Sequence, residues 1–155
     1  MDENQDHAKI IMHPPVFYII AALIGLGIDY FFPLSFGFEG ATGTAGILLF
    51  ILGVIIAILS MKNFAKDKQS PSVHAPTHNI YTSGIYGYTR NPIYLGALIW
   101  LMAAAVYFDK AWIFIMSAPL IVFLNKAVIE KEEAYLEEKF GDEYRSYKKK
   151  VRRWI

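Results

Sequence analysis

Four long stretches of this chain are almost without charge: Pro14–Leu34, Thr44–Met61, Pro92–Phe108 and Ala111–Ile129. That pattern leaves few options. A helix needs about 20 mainly apolar residues to cross a hydrocarbon core of roughly 30 Å. Inside lipid every backbone N–H and C=O must be satisfied within the protein, and a helix does so within each segment. The expected fold is therefore all-α: a polytopic membrane helix bundle of about four transmembrane helices, followed by a C-terminal amphipathic cytoplasmic helix. The chain has 155 residues, which suits one integral-membrane domain over 1–155.

Charge placement orients the bundle. Lys62, Lys66, Lys68 and Arg90 lie between the second and third runs. Lys131, Lys139, Arg145, Lys148, Lys149, Lys150, Arg152 and Arg153 follow the fourth. The connection 35–43 has no Lys or Arg, and the third connection has only Lys110. Basic residues stay on the cytoplasmic side, so both termini and the 62–90 segment are expected there. The opening "MDENQDHAK" is acidic, unlike the basic start of a secretory signal, so the first run is expected to be retained. There is no cysteine, which excludes disulfides, thiolate zinc sites and cysteine nucleophiles. No nucleic-acid partner is expected.

Two residues interrupt the apolar pattern. Asp29 sits near the far end of the first run and either reaches the interface or meets a polar partner inside the bundle. Pro119 should kink the fourth helix. His74 and His78 are four apart, but their proline-containing loop "KDKQSPSVHAPTHN" argues against a helical metal pair, and both are expected to be dispensable. His7 and His13 carry no signal.

Two polar elements flank the last pair of runs. The first is "SGIYGYTRNPIYLG", Ser83–Gly96. Asn91 followed by Pro92 is a strong helix start. The first turn of that helix offers unpaired N–H groups that favour an anion, and Arg90 adds a fork of donors suited to a carboxylate. Gly84 and Gly87 allow tight turns and close approach, and Gly96 allows a helix or ligand to come near. A plainer reading fits equally: Arg90 snorkels to headgroups and the tyrosines form an interfacial belt. The second element spans 130–153. Leu136, Phe140, Tyr144, Tyr147 and Val151 recur at helical steps and mark an apolar face, broken near Gly141 where Asp142 starts a second piece. Glu132 and Glu133 lie near the membrane exit; a solvated, salt-bridged face is their ordinary fate. "KKKVRRW" reads as a basic patch against anionic lipid, with Trp154 at the headgroups.

Taken together, the two elements resemble the isoprenylcysteine carboxyl methyltransferase family and the wider superfamily of membrane phospholipid methyltransferases. Ser83–Gly96 is similar to the family's Gly-x-Tyr-x-x-x-Arg-(His/Asn)-Pro-x-Tyr signature. Glu132–Arg153 is similar to its Glu-Glu-x-x-Leu and Phe-Gly-x-x-Tyr-x-x-Tyr. The resemblance covers about the C-terminal half. Asn91 stands where the eukaryotic members have histidine, which bears on substrate class more than on cofactor. The resemblance implies a membrane-embedded methyltransferase that uses S-adenosylmethionine. Gly84, Tyr86, Tyr88, Arg90, Asn91, Pro92, Tyr94, Glu132 and Glu133 would bind the cofactor, and Arg90 would be the catalytic residue. Arg90 and the start of the third span would take the carboxylate, and Glu132 or Glu133 the ammonium. No metal is implied. The acceptor would be a lipid-like or prenylated molecule entering from the bilayer, with a carboxylate mildly favoured because it needs no general base.

Two other classes compete. Sterol and steroid reductases, which use NADPH, carry a related signature, but Ile93 replaces its asparagine and Ala97 follows Gly96 where an acidic residue is frequent. A non-catalytic membrane binding or transport protein would place ionisable residues at mid-membrane depth, for which Asp29 is the sole candidate.

Overall fold

The computed structural model describes residues 13–38, 40–67 and 78–155. The acidic opening stretch, Lys68, His7 and His74 lie outside the described residues. Within them every regular element is helical. Helices α1 (Pro14–Phe31) and α2 (Thr42–Lys66) are followed by a short 3₁₀ turn, Gly84–Gly87. Next come α3 (Pro92–Tyr107), α4 (Ala111–Ile115) and α5 (Ser117–Leu124), then a π-helical turn, Asn125–Ile129. Helices α6 (Glu130–Phe140) and α7 (Asp142–Lys150) complete the fold.

Three helical stretches are long and apolar enough to cross a membrane: Pro14–Phe31, Thr42–Asp67 and Ala111–Phe140. Helix α3 is apolar but only 16 residues long, about 24 Å at helical rise. The expectation of four spans thus meets three helices that clear the length unaided and one that is short. The break between α4 and α5 falls at Met116, three residues before Pro119. Proline has no N–H for its i−4 carbonyl and its ring crowds that carbonyl, so the irregularity precedes it.

Burial follows lipid logic rather than aqueous logic. The core is built from Tyr18, Ala21, Leu98, Leu101, Ala105, Ile113, Leu120, Leu124, Val128 and Ile129. Large apolar residues such as Leu23, Leu48, Ile58 and Val122 face outward, each more than 60% exposed. The buried positions of α2 are all small: Gly46, Gly53 and Ser60. A Cβ on Gly53 would lie 2.4 Å from the Trp100 ring, and one on Gly25 would lie 2.8 Å from the Ile113 backbone. Small residues bring membrane helices together where apolar attraction between them is weak.

The end of the bundle away from the site is tied by ions and hydrogen bonds. Asp29, 5% exposed, pairs with Lys110 of the α3–α4 turn and accepts a 3.1 Å bond from the Leu34 amide. Asp29 thus has a polar partner within the protein, in the turn at the far end of the bundle. Asp109, at φ 54°, accepts from the Phe36 amide at 2.8 Å. The Trp112 indole donates to the Phe32 carbonyl at 2.7 Å.

Candidate functional site

At the opposite end a cavity of about 520 Å³ opens between the start of α1, the end of α2, the 79–81 segment, the start of α3 and the α6–α7 pair. That volume is within the usual range for small-molecule sites, roughly 300–1,000 Å³. Its walls divide by chemistry. Pro14, Pro15, Met61, Phe64, Ile93 and Ala97 make one part apolar. Tyr86, Arg90, Asn91, Glu132, Glu133, Tyr144 and Tyr147 make the other polar.

Local sequence places these groups. Gly84, at φ +63°, begins the 3₁₀ turn in a conformation that suits glycine. The turn directs Tyr86 inward, 7% exposed, and Tyr88 outward, 79% exposed. Pro92 then opens α3, where a missing N–H costs nothing. The π-helical turn before Glu130 sets the rotation at which α6 presents its acidic residues. Such turns concentrate at functional positions. Gly141, at φ +54°, lets α7 fold back, so Tyr144, Tyr147 and Val151 pack with Ile80, Leu136 and Phe140.

The central contact is an ion pair between two of the expected site residues. Arg90 Nη2 lies 2.6 Å from Glu133 Oε1, with side chains 9% and 6% exposed. Arg90 Nη1 donates to the carbonyls of Val151 at 2.7 Å and Lys148 at 3.0 Å. The cation thus also satisfies open carbonyls at the end of α7, where its charge suits the helix dipole. Glu133 is held from the other side by Arg153, whose Nη2 meets Oε2 at 2.8 Å and whose Nε meets Oε1 at 3.1 Å. That bond to Glu133 raises the Arg153 pKa further. Both oxygens of Glu133 are consequently in use.

Glu132 differs. It accepts a 2.7 Å bond from the Tyr94 hydroxyl through Oε1. The Tyr18 hydroxyl in turn donates to the Tyr94 carbonyl at 2.9 Å. Three side-chain polar atoms of cavity-lining residues are buried without a hydrogen-bond partner: Arg90 Nε and the hydroxyls of Tyr81 and Tyr86. Buried polar groups are rarely left unsatisfied. Tyr147 is raised to about 12 by burial, so it remains a donor at neutral pH, and it holds the Tyr86 carbonyl at 2.7 Å.

Of the expected site residues, Tyr86, Arg90, Asn91, Pro92, Tyr94, Glu132 and Glu133 line one cavity; Gly84 and Tyr88 do not. Asn91 occupies the N-cap position, but its side chain makes no cap hydrogen bond; its amide donates to the Arg153 carbonyl at 2.9 Å. Two residues of the basic stretch ending at Trp154 have partners within the protein. Arg153 pairs with Glu133, and the Trp154 indole donates to Asn125 at 3.0 Å. The reason is the turn at Gly141, which carries these residues back over the start of α3. Sequence reasoning did not find Tyr18 or Met61 as cavity residues, because nothing in an apolar run distinguishes its inward positions, nor His13 and Phe64 just beyond the runs, which carry no motif.

A family model described as phospholipid methyltransferase matches residues 41–143, and the chain belongs to that family. A protein-S-isoprenylcysteine O-methyltransferase of Rattus norvegicus is 32% identical over 111 residues, covering 69% of this chain and 38% of that protein. One of Dictyostelium discoideum is 28% identical over 166 residues, 97% of this chain and 65% of that protein. Methanethiol S-methyltransferase 1 of Bradyrhizobium diazoefficiens is 36% identical over 67 residues, 43% of this chain and 22% of that protein. The chain therefore spans less than two thirds of the length of each of these three relatives. Family and apolar helices together make it an integral membrane protein.

Proposed function

We propose that this chain is an S-adenosylmethionine-dependent methyltransferase acting on a lipid-like carboxylate. In this reading α3 is a fourth span beside the three longer ones, and both termini face the cytoplasm. The observation that carries the proposal is the polar end of the cavity: the Arg90, Tyr86 and Glu132 side chains line it, and Arg90 Nε and the Tyr86 hydroxyl have no partner within the protein.

These donors and acceptors fit the cofactor's amino-acid end. Glu132 would take the ammonium, since Glu133 is fully engaged by Arg90 and Arg153. Arg90 Nε, the Tyr86 hydroxyl and the open N–H groups of the first turn of α3 would take the carboxylate. Tyr86, Tyr94 and Tyr144 provide aromatic faces, which attract cations. When bound, the cofactor supplies an electrophilic methyl group. The chain's part is to orient the acceptor and exclude water, effects that can supply about 7–11 kcal/mol of a barrier. The apolar walls of Met61, Phe64 and Ile93 would receive the acceptor's hydrocarbon. A carboxylate is already ionised at neutral pH and asks no base of the cavity.

Purified protein in lipid vesicles, given methyl-labelled S-adenosylmethionine, should transfer label to a lipid-soluble product. A carboxyl methyl ester releases that label as methanol in mild alkali. Alkali-stable label would move the acceptor to a thiol or amine, and no transfer to any lipid fraction would remove the proposal.

A further inference from the structure

We infer that residues 151–154 form a strap that sets the polar end of the cavity, with Arg153 as its positioning residue; this rests on the reading of that cavity as the S-adenosylmethionine site.

The strap is bound to the 89–91 segment by both backbone and side chains. The Arg90 amide donates to the Arg152 carbonyl at 3.0 Å. The Arg153 carbonyl accepts from the Asn91 amide group at 2.9 Å and from the Thr89 hydroxyl at 3.2 Å. The Val151 carbonyl accepts from Arg90 Nη1 at 2.7 Å. The strap is further anchored by Trp154 on Asn125 and by Val151, 8% exposed, against the cavity-lining Tyr144 and Tyr147.

What these contacts fix is the direction of Arg90. Its terminal nitrogens are committed to Glu133, Lys148 and Val151, which leaves Nε as the one guanidinium nitrogen without a partner in the protein. Arg153 then occupies both oxygens of Glu133, so that carboxylate cannot turn toward a ligand's ammonium, and the task falls to Glu132. Arg153 reaches neither cofactor nor acceptor itself; it is not among the cavity-lining residues. Its two bonds to Glu133 form a fork that lysine cannot reproduce.

The test compares the parent chain with Arg153→Ala, Arg153→Lys, Trp154→Phe and, as a control, the exposed Lys149→Ala. S-adenosylhomocysteine is titrated into each detergent-purified protein, and hydrogen exchange of the Arg90 amide is followed without ligand. Arg153→Ala should weaken binding about tenfold or more, as losing charge-assisted bonds implies, and speed exchange at Arg90. Arg153→Lys should recover part of the affinity, because one contact to Glu133 returns. Lys149→Ala should match the parent. If the parent binds and Arg153→Ala binds equally well, the strap is wrong while the cofactor reading stands. If the parent itself does not bind, the cofactor reading falls first and takes the positioning role with it. Should Arg153→Ala fail to fold, Trp154→Phe becomes the deciding variant, since it keeps a ring and loses the bond to Asn125. A few-fold loss there supports the strap, and unchanged affinity overturns it.

Discussion

Adjacent glutamates with opposite tasks give a sharp test. Glu133 is enclosed by two guanidinium groups, with Arg90 at 2.6 Å and Arg153 at 2.8 Å. Its side chain is 6% exposed. Glu133→Gln removes the charge and turns a donor toward donors, leaving two cations facing each other. Breaking a buried pair by changing one partner costs about 3–5 kcal/mol. At roughly 2–4 °C per kcal/mol for a chain of this size, the melting temperature should fall by about 6–20 °C. Glu132→Gln keeps an oxygen for the Tyr94 hydroxyl, so its cost to stability should stay within about 1 kcal/mol. It removes the charge assigned to the ligand's ammonium, and should weaken S-adenosylhomocysteine binding by about 1.5–3 kcal/mol. The assay is thermal unfolding in detergent with and without ligand. An unchanged melting temperature for Glu133→Gln would refute the structural role, and unchanged affinity for Glu132→Gln would refute the binding role.

Other expectations follow from packing and charge. Gly25→Ala should destabilise by about 1–3 kcal/mol, because its Cβ meets the Ile113 backbone, whereas Gly27→Ala, with nothing within 4 Å, should be neutral or mildly stabilising on thermal unfolding. Lys110→Met should cost more than Asp29→Asn, since it strands a buried carboxylate, whereas Lys110, with its side chain 39% exposed, can reach solvent when its partner is lost; equal melting temperatures would contradict this. Reporter fusions in the 35–43 connection and after Ile155 should fall on opposite sides of the membrane, as the Lys and Arg distribution requires; finding both on one side would sink the four-span arrangement.

Three of the four apolar runs were legible because the bilayer imposes a length criterion that each meets alone; α3, at 16 residues, falls short of it. The 83–96 element was legible as a turn entering a helix, and Pro92 does open α3. What residues there bond to was not. Arg90 and Glu133 looked like opposite jaws around a ligand, yet they hold each other, because the fold brings α6 against the start of α3. A run of lysines and arginines does not state whether its partner is lipid phosphate or a carboxylate 20 residues earlier. Arg153 took the second course once Gly141 reversed the chain. Tyr86 and Tyr88 are equivalent in sequence, and a single 3₁₀ turn separates them into a cavity wall and an exposed ring. The π-helical turn at 125–129 had no local signature at all.

The most direct measurement is equilibrium binding to the purified protein in detergent, with S-adenosylhomocysteine and reduced nicotinamide dinucleotide phosphate titrated separately. Binding to the folded state alone raises its melting temperature with ligand concentration. The cavity's donors and acceptors call for saturable binding and a rising melting temperature with S-adenosylhomocysteine, both moved about tenfold or more to higher ligand concentration in Glu132→Gln, and no response to the nicotinamide. Binding of the nicotinamide with none of S-adenosylhomocysteine would contradict the proposed methyl transfer.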